Sequence, residues 1–281
     1  MGYSGRRTLT AARTLGFAAV AAAAVACDSQ SGIPAEVPEQ MVTVESADTE
    51  EPTVAIPSTT PRPAPQVTIG TVPGNSAAVD AVRAWVTDLI TDRAVLPGTC
   101  WTLPPAQITE QHEDTEAILT ALAQPGVDGQ FAVSWTGAGT TVSVKRSEIA
   151  SGYACPHVHP SGTDDYYTPA DAEHAVTRFL SREAGRPVHR ADTESTYPLI
   201  CPGFSPWDPA GTGSGGQPPL KLDPDVLAGT TDFDAEAMTS KPLRGDYIAV
   251  TVPVTDVSGV TESETITLTV GSDGYCLGEV T

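Results

Sequence analysis

Basic residues are scarce in this chain of 281 residues: 15 Lys+Arg stand against 35 Asp+Glu, a formal net charge of −20. A polyanion is bound through a basic footprint, so a nucleic-acid partner is excluded, as is adhesion to anionic lipid through a basic face. No C-x-x-C pair occurs, which removes dithiol redox catalysis and a zinc ribbon. No G-x-S-x-G elbow occurs either, because the glycine-rich run at residues 211–216 has Thr212 where the elbow requires Gly. That run is formally G-x-G-x-x-G, but Pro206, Pro209, Pro218 and Pro219 surround it where a dinucleotide site needs a strand and a helix. Aromatic residues are also few, at 6%.

What is present begins with an address. Arg6, Arg7 and Arg13 precede an uncharged, mostly apolar run at residues 15–26, and Cys27 follows it. Such a run falls short of the roughly 20 residues of a spanning helix, and the pattern of charge, apolar stretch and small residues reads as an export signal. Ala24-Val25-Ala26-Cys27 resembles the bacterial lipobox. That resemblance implies a Cys27 that is acylated, becomes the mature N-terminus and holds the protein at the extracytoplasmic face of the cell membrane. Two or more acyl chains anchor stably. Cleavage at an A-x-A-like site with free secretion is the alternative.

Residues 28–78 contain eight Pro, seven acids, a single basic residue (Arg62) and no aromatic. They cannot bury enough apolar surface to offset chain entropy, so they are expected to form a disordered tether spanning roughly 40 Å. The body follows as two α+β units, at residues 79–160 and 168–281. In the first, Val79, Val82, Trp85, Val86, Leu89 and Ile90 share one helical face, and a second helix is expected at residues 114–124. The period then changes to two: Phe131, Val133 and Trp135 lead into a turn at residues 137–139, and Val142 and Val144 return. A third strand is expected to carry Tyr153 and Cys155. In the second unit, Thr168-Pro169 opens a helix that buries Ala172, Ala175, Val176, Phe179 and Leu180 and stops at Gly185. A hairpin follows an irregular stretch: Ile248, Val250, Val252 and Val254, then Ile266, Leu268 and Val270 with the intervening Thr residues outward.

Beyond the anchor, Cys100, Cys155, Cys201 and Cys276 form an even set in an exported chain, which reads as disulfides. Three connectivities are possible. Each unit, however, has a helix, a Cys in a Pro-containing stretch, a hairpin and a Gly-Tyr turn into a second Cys. This repeated plan favours Cys100–Cys155 and Cys201–Cys276, each contributing about 4 kcal/mol by chain entropy.

The fold class expected is therefore α+β, with helices packed on antiparallel sheet in two repeated, disulfide-stapled helix–hairpin units. The element order, lipobox and Gly-Tyr-Cys endings resemble the cystatin-like and nuclear-transport-factor-like modules on lipoproteins of high-GC actinobacteria. Members of that group share a cone-shaped pocket but no single activity, so the resemblance transfers no functional residue. Two sets of side chains invite a site. Trp101 and Trp207, each near a Cys and a Pro, are candidates for a ligand-facing rim, whereas Trp85 and Trp135 fall on core faces. His157 and His159 would point the same way on a strand and could grip a metal with Asp165. The reading preferred is a non-catalytic, membrane-anchored lipoprotein that needs no cofactor and binds a small ligand or an envelope protein. The alternative is an extracytoplasmic hydrolase or metal-dependent enzyme centred near His157 and His159.

Overall fold

The computed structural model describes residues 67–163, 167–204 and 206–281. The export signal, Cys27, most of the expected tether, and Asp165 lie outside the described residues. No helix among the described residues is long and apolar enough to cross a membrane.

Packing begins earlier than residue 79. Ile69 and Val72 are buried in the first core, the Gly70 N–H donates to Leu122 O at 2.7 Å, and the Trp135 indole donates to Gly70 O at 2.9 Å. Gly70 is obligatory here, because a Cβ would lie 1.7 Å from Gln124 O. The packed body therefore includes residues expected in the tether, since Trp135 and the 122–126 segment supply the partners that composition alone could not reveal.

Helix α1 (Ser76–Thr91) starts where Asn75 Oδ1 accepts the Ala78 N–H at 3.2 Å, and it buries Ala78, Ala81, Val82, Trp85, Val86 and Leu89. A 3-10 turn (Arg93–Val95) and the short helices α2 (Leu96–Thr99) and α3 (Pro105–Gln111) precede α4 (Thr115–Leu122), which is capped by Asp114. Strands β1 (Val127–Asp128), β2 (Ala132–Gly137) and β3 (Thr140–Lys145), the single turn α5 (Arg146–Ile149) and strand β4 (His157–Pro160) complete the first half. The sheet runs β1-β2-β3-β4, antiparallel throughout. Ala138 and Gly139, at φ 52° and 80°, form the two-residue turn that matches the twist of the β2–β3 hairpin. Trp85 and Trp135 are both inaccessible in this core, as their helical and strand periods foretold.

The third strand is not at Tyr153 and Cys155. The Cys155 N–H donates to Glu148 Oε2 at 2.7 Å and the Ala154 N–H to Ala81 O at 3.3 Å, so these donors are taken before a ladder can use them. Strand pairing starts two residues later, at His157.

The second half opens with α6 (Pro169–Glu183). Thr168 and Asp171 make a capping box, and the helix ends in a Schellman arrangement, with Arg186 N–H donating to Ser181 O and Gly185 at φ 68°. One turn of helix, α7 (Pro219–Leu222), and strands β5 (Thr230–Phe233) and β6 (Thr239–Pro242) occupy what the sequence presents as irregular. Strands β7 (Tyr247–Asp256), β8 (Thr261–Gly271) and β9 (Gly274–Val280) form the antiparallel body, with β5 and β6 both paired to β7. α6 lays Ala172, Val176, Phe179 and Leu180 into the same core as Ile248, Val250, Val252, Ile266, Leu268 and Leu277. The expected alternation on β8 breaks once: Thr267 is buried, beside a register shift that leaves Gly278 of β9 as the extra residue of a bulge.

The protein is thus α+β, built on two antiparallel sheets and stapled by two disulfides. Cys100–Cys155 closes the first half and Cys201–Cys276 the second, the pairing that the repeated plan favours.

Candidate functional site

The candidate rim tryptophans have different surroundings. Trp207 is 6% exposed and lies on the bulge glycine, where a Cβ at Gly278 would come within 2.2 Å of its ring. Its indole donates to Glu279 Oε2 at 3.2 Å, and its ring meets Tyr247 edge-on at 5.1 Å. Trp207 therefore covers the second sheet and is not on a rim: the small residue at the bulge lets the ring approach the backbone. Trp101, by contrast, lines a cavity.

That cavity sits where the two halves meet. α6 is tied to the first half at its cap, where Gln107 Nε2 donates to Asp171 Oδ2 at 2.9 Å and to Thr168 Oγ1 at 2.6 Å. One turn on, His174 Nε2–H donates to Trp101 O at 2.8 Å, which settles the tautomer because a carbonyl only accepts. Another turn on, the Arg178 guanidinium lies 5.0 Å from the Trp101 ring centroid. His174, Arg178 and Arg182 recur at i, i+4 and i+8, a polar edge beside the apolar stripe of α6.

Those arginines organise the following loop. Asp192, buried and with a side chain 0% exposed, accepts from Arg178 at 2.7 and 3.2 Å and from Arg182 Nε at 3.1 Å. Burial alone would raise the Asp192 pKa, but the hydrogen bonds and charges of the two guanidiniums outweigh it and hold the carboxyl below its ordinary range. Glu194 continues the frame, pairing with Arg182 at 2.9 Å and accepting the Leu199 and Ile200 N–H groups at 2.9 and 3.0 Å. The loop so held presents His189, stacked on Trp101 at 5.1 Å, and Tyr197, edge-on to the same ring at 4.8 Å.

Between this loop and the first half lies a cavity of about 320 Å³, walled by Trp101, Thr102, Tyr153, His189 and Tyr197, with Glu148 among its lining. Glu148 and Thr102 also border a second space of about 40 Å³ that Lys145, Asp171, His174 and Arg178 face. Glu148 is 3% exposed. Burial pushes its carboxyl pKa up, against the lowering pull of Lys145, the Thr102 hydroxyl and the Cys155 N–H.

His157 and His159 do stand on one strand, opposite Ser143 and Thr141. His159 is bonded to Ser143 Oγ at 3.3 Å and borders a separate cavity of about 650 Å³. His157 is buried, edge-on to Tyr167 at 5.2 Å, with Asp171 Oδ1 4.0 Å away. Burial, and then the charge of Lys145, depress the His157 pKa, and a metal cation there would meet the same repulsion. Among the described residues no three His, Cys, Asp or Glu side chains group to hold a metal. The structure thus supplies the strand but not the third ligand, Asp165 being outside the described residues.

Glu148, His174, Arg178 and Asp192 were not singled out by sequence reasoning. The i, i+4, i+8 spacing on α6, followed by Asp192 and Glu194, was a usable signal for three of them. Glu148 had none, since a carboxylate in one turn of helix looks like any solvated charge.

The site has a calculable pH response. Burial, reinforced by the charges of Arg178 and Lys145, lowers the His174 pKa from 6.5 to about 4 despite its bond to Trp101. A histidine held neutral in the fold costs nothing above the unfolded pKa; as pH falls below it, the unfolded chain takes up the proton first and stability is lost. The loss amounts to about 2–3 kcal/mol by the time pH approaches the folded value. Buried His112 and His157, also lowered, act with the same sign. Urea unfolding at neutral pH and near pH 4.5 is expected to show this slope, and His174→Gln, which keeps a donor for Trp101 O, is expected to flatten it by about the same amount.

Comparison with protein-family models, with curated proteins and with solved structures found no match.

Proposed function

We propose that the protein is an exported lipoprotein, anchored by acyl chains on Cys27 at the extracytoplasmic face of the membrane, whose ectodomain binds a small ligand without catalysing a reaction on it. The observation that carries the binding reading is the cavity of about 320 Å³ where the two halves meet, since its size and aromatic walls suit a compact ligand. The Arg178–Asp192–Arg182 frame holds one wall in place before any ligand arrives, which lowers the entropic cost of binding. The basic start, apolar run and lipobox-like Ala24-Val25-Ala26-Cys27 support export and acylation. Two formed disulfides suit an oxidising compartment.

Cys27→Ala tests the anchor. The wild-type chain is expected in the membrane fraction with an acyl-increased mature mass, and the variant in the aqueous fraction without it. An unchanged mass and distribution would remove the anchor. The same unacylated full-length chain tests the cavity: a fragment mixture is expected to shift the Trp101 indole resonance, and Ala191→Leu, which fills the space, is expected to abolish the shifts. Shifts that survive Ala191→Leu would place binding elsewhere.

A further inference from the structure

The turn between β6 and β7 carries a second surface, independent of the cavity. We propose that Arg244-Gly245-Asp246 at its apex is an adhesion site, read by a metal-dependent receptor of the integrin type. Such a receptor takes the guanidinium in an acidic cleft and the carboxylate on a bound divalent cation.

The tripeptide stands where two strands reverse. Leu243 N–H donates to Tyr247 O at 2.8 Å and Tyr247 N–H to Arg244 O at 3.3 Å, so Arg244 opens a tight turn that Tyr247 closes. Gly245 takes the first central position at φ 61°, whereas Asp246, at the second, has no positive φ. That sign pattern is the type II′ hairpin turn, whose twist matches that of the strands it joins. Residues 241–246 are all exposed. A Cβ built on Gly245 would meet nothing within 4 Å, so a partner can approach the backbone closely between the two charged side chains.

Both charges are open. The Arg244 guanidinium and the Asp246 carboxylate make no side-chain hydrogen bond or ion pair among the described residues. Elsewhere Arg83 bonds Val67 O, Arg146 pairs with Asp128 and Arg186 with Asp232. The tip thus offers a cation and an anion two residues apart, neither of which has to leave a partner in order to dock.

The base of the turn is fixed before a partner arrives. Tyr247 Oη donates to Pro206 O at 3.1 Å and accepts the Asp208 N–H at 3.0 Å, and its ring meets Trp207, which lies on the β9 bulge. Asp208 in turn accepts the Thr212 and Gly213 N–H groups, each at 2.8 Å. The loop so closed puts Gly211 against Arg244, where a Cβ would come within 2.8 Å of the Arg244 Cδ and Nη1. The glycine-rich run therefore beds the arginine side chain instead of binding a nucleotide. A tip held in one conformation loses less entropy on docking than a free tripeptide does.

Passing the full-length Cys27→Ala chain over an immobilised Arg-Gly-Asp-binding integrin ectodomain in manganese buffer tests the assignment. Saturable binding is expected, removed by EDTA and competed away by a cyclic Arg-Gly-Asp peptide. Asp246→Glu keeps the charge and moves it by one methylene, and it is expected to weaken binding at least tenfold. Arg244→Gln, which keeps a hydrogen-bond donor and loses the charge, is expected to do the same. Both positions are exposed, so the unfolding midpoint of each variant is expected to equal that of the parent chain, which separates lost recognition from lost fold. No saturable binding, binding that persists in EDTA, or equal affinity in Asp246→Glu would each overturn the proposal. None of these results bears on the cavity, whose own test is Ala191→Leu.

Discussion

Asp192→Asn is expected to lower the unfolding free energy by about 3–5 kcal/mol, read from urea melts at neutral pH. Asp192 is the shared acceptor of two guanidiniums whose side chains are themselves largely buried, at 8% and 11% exposed. An amide cannot neutralise either, so the substitution leaves two cations out of water with reduced compensation, the condition in which a buried pair is costly to break. The effect belongs to the network rather than to one contact. In a double-mutant cycle, Arg178→Met is therefore expected to cost much less in the Asp192→Asn background than in the wild type, and strict additivity would refute the coupling. The carboxylate also has a pH signature of opposite origin to that of the histidines. Its folded pKa is held down, so its contribution is present above the ordinary Asp range and is lost as pH falls through the folded value. Because Asp192 positions the loop bearing His189 and Tyr197, which line the cavity, affinity for any ligand of that cavity is expected to fall along with stability.

Removing a disulfide is expected to cost about 4 kcal/mol per bond, as Cys201→Ser with Cys276→Ser, or as Cys100→Ser with Cys155→Ser. The sequence separations are 75 and 55 residues, and loop entropy grows only with their logarithm, so the two bonds are expected to contribute nearly equally. The second pair has a backbone reinforcement. Cys201 N–H donates to Leu277 O at 2.9 Å, and Leu277 N–H to Leu199 O at 2.8 Å, so segment 199–201 remains paired to β9 when the sulfurs are cut. Without Cys201–Cys276 the protein is accordingly expected to keep its native sheet signal at low denaturant and to unfold at a lower midpoint. Equal midpoints with and without the bonds, in guanidinium titrations, would count against the entropic account.

The helices were legible because their information is local. Val82, Trp85, Val86 and Leu89 on the buried face of α1, the Asn75 cap, and the Thr168-Pro169-Asp171 start of α6 act within a few residues of chain. The β2–β3 and β7–β8 hairpins were legible for the same reason, since alternation and turn residues are contiguous. The disulfide pairing was readable only through the repeated plan, which the sequence shows as order and not as distance. Less visible were β5 and β6, short strands whose pairing partner β7 supplies the ladder. The start of the packed body was also misplaced, because Ile69 and Val72 are buried by α4 neighbours and by Trp135, far along the chain.

The candidate site divides the same way. Trp101 was picked out by type and neighbourhood, but the feature that separates it from Trp207 is a bulge glycine in β9, about 70 residues from Trp207. The sequence by itself determined the acidic balance, the α+β class and the even set of body cysteines, because each depends on composition or on neighbours within a turn or two. Only the tertiary structure decided that α6 meets the first half through Trp101, and that Glu148 is buried beside a cavity. Burial and hydrogen-bond satisfaction depend on what the rest of the fold brings alongside a residue. A glutamate in one turn of helix carries no mark of that in its own stretch of chain.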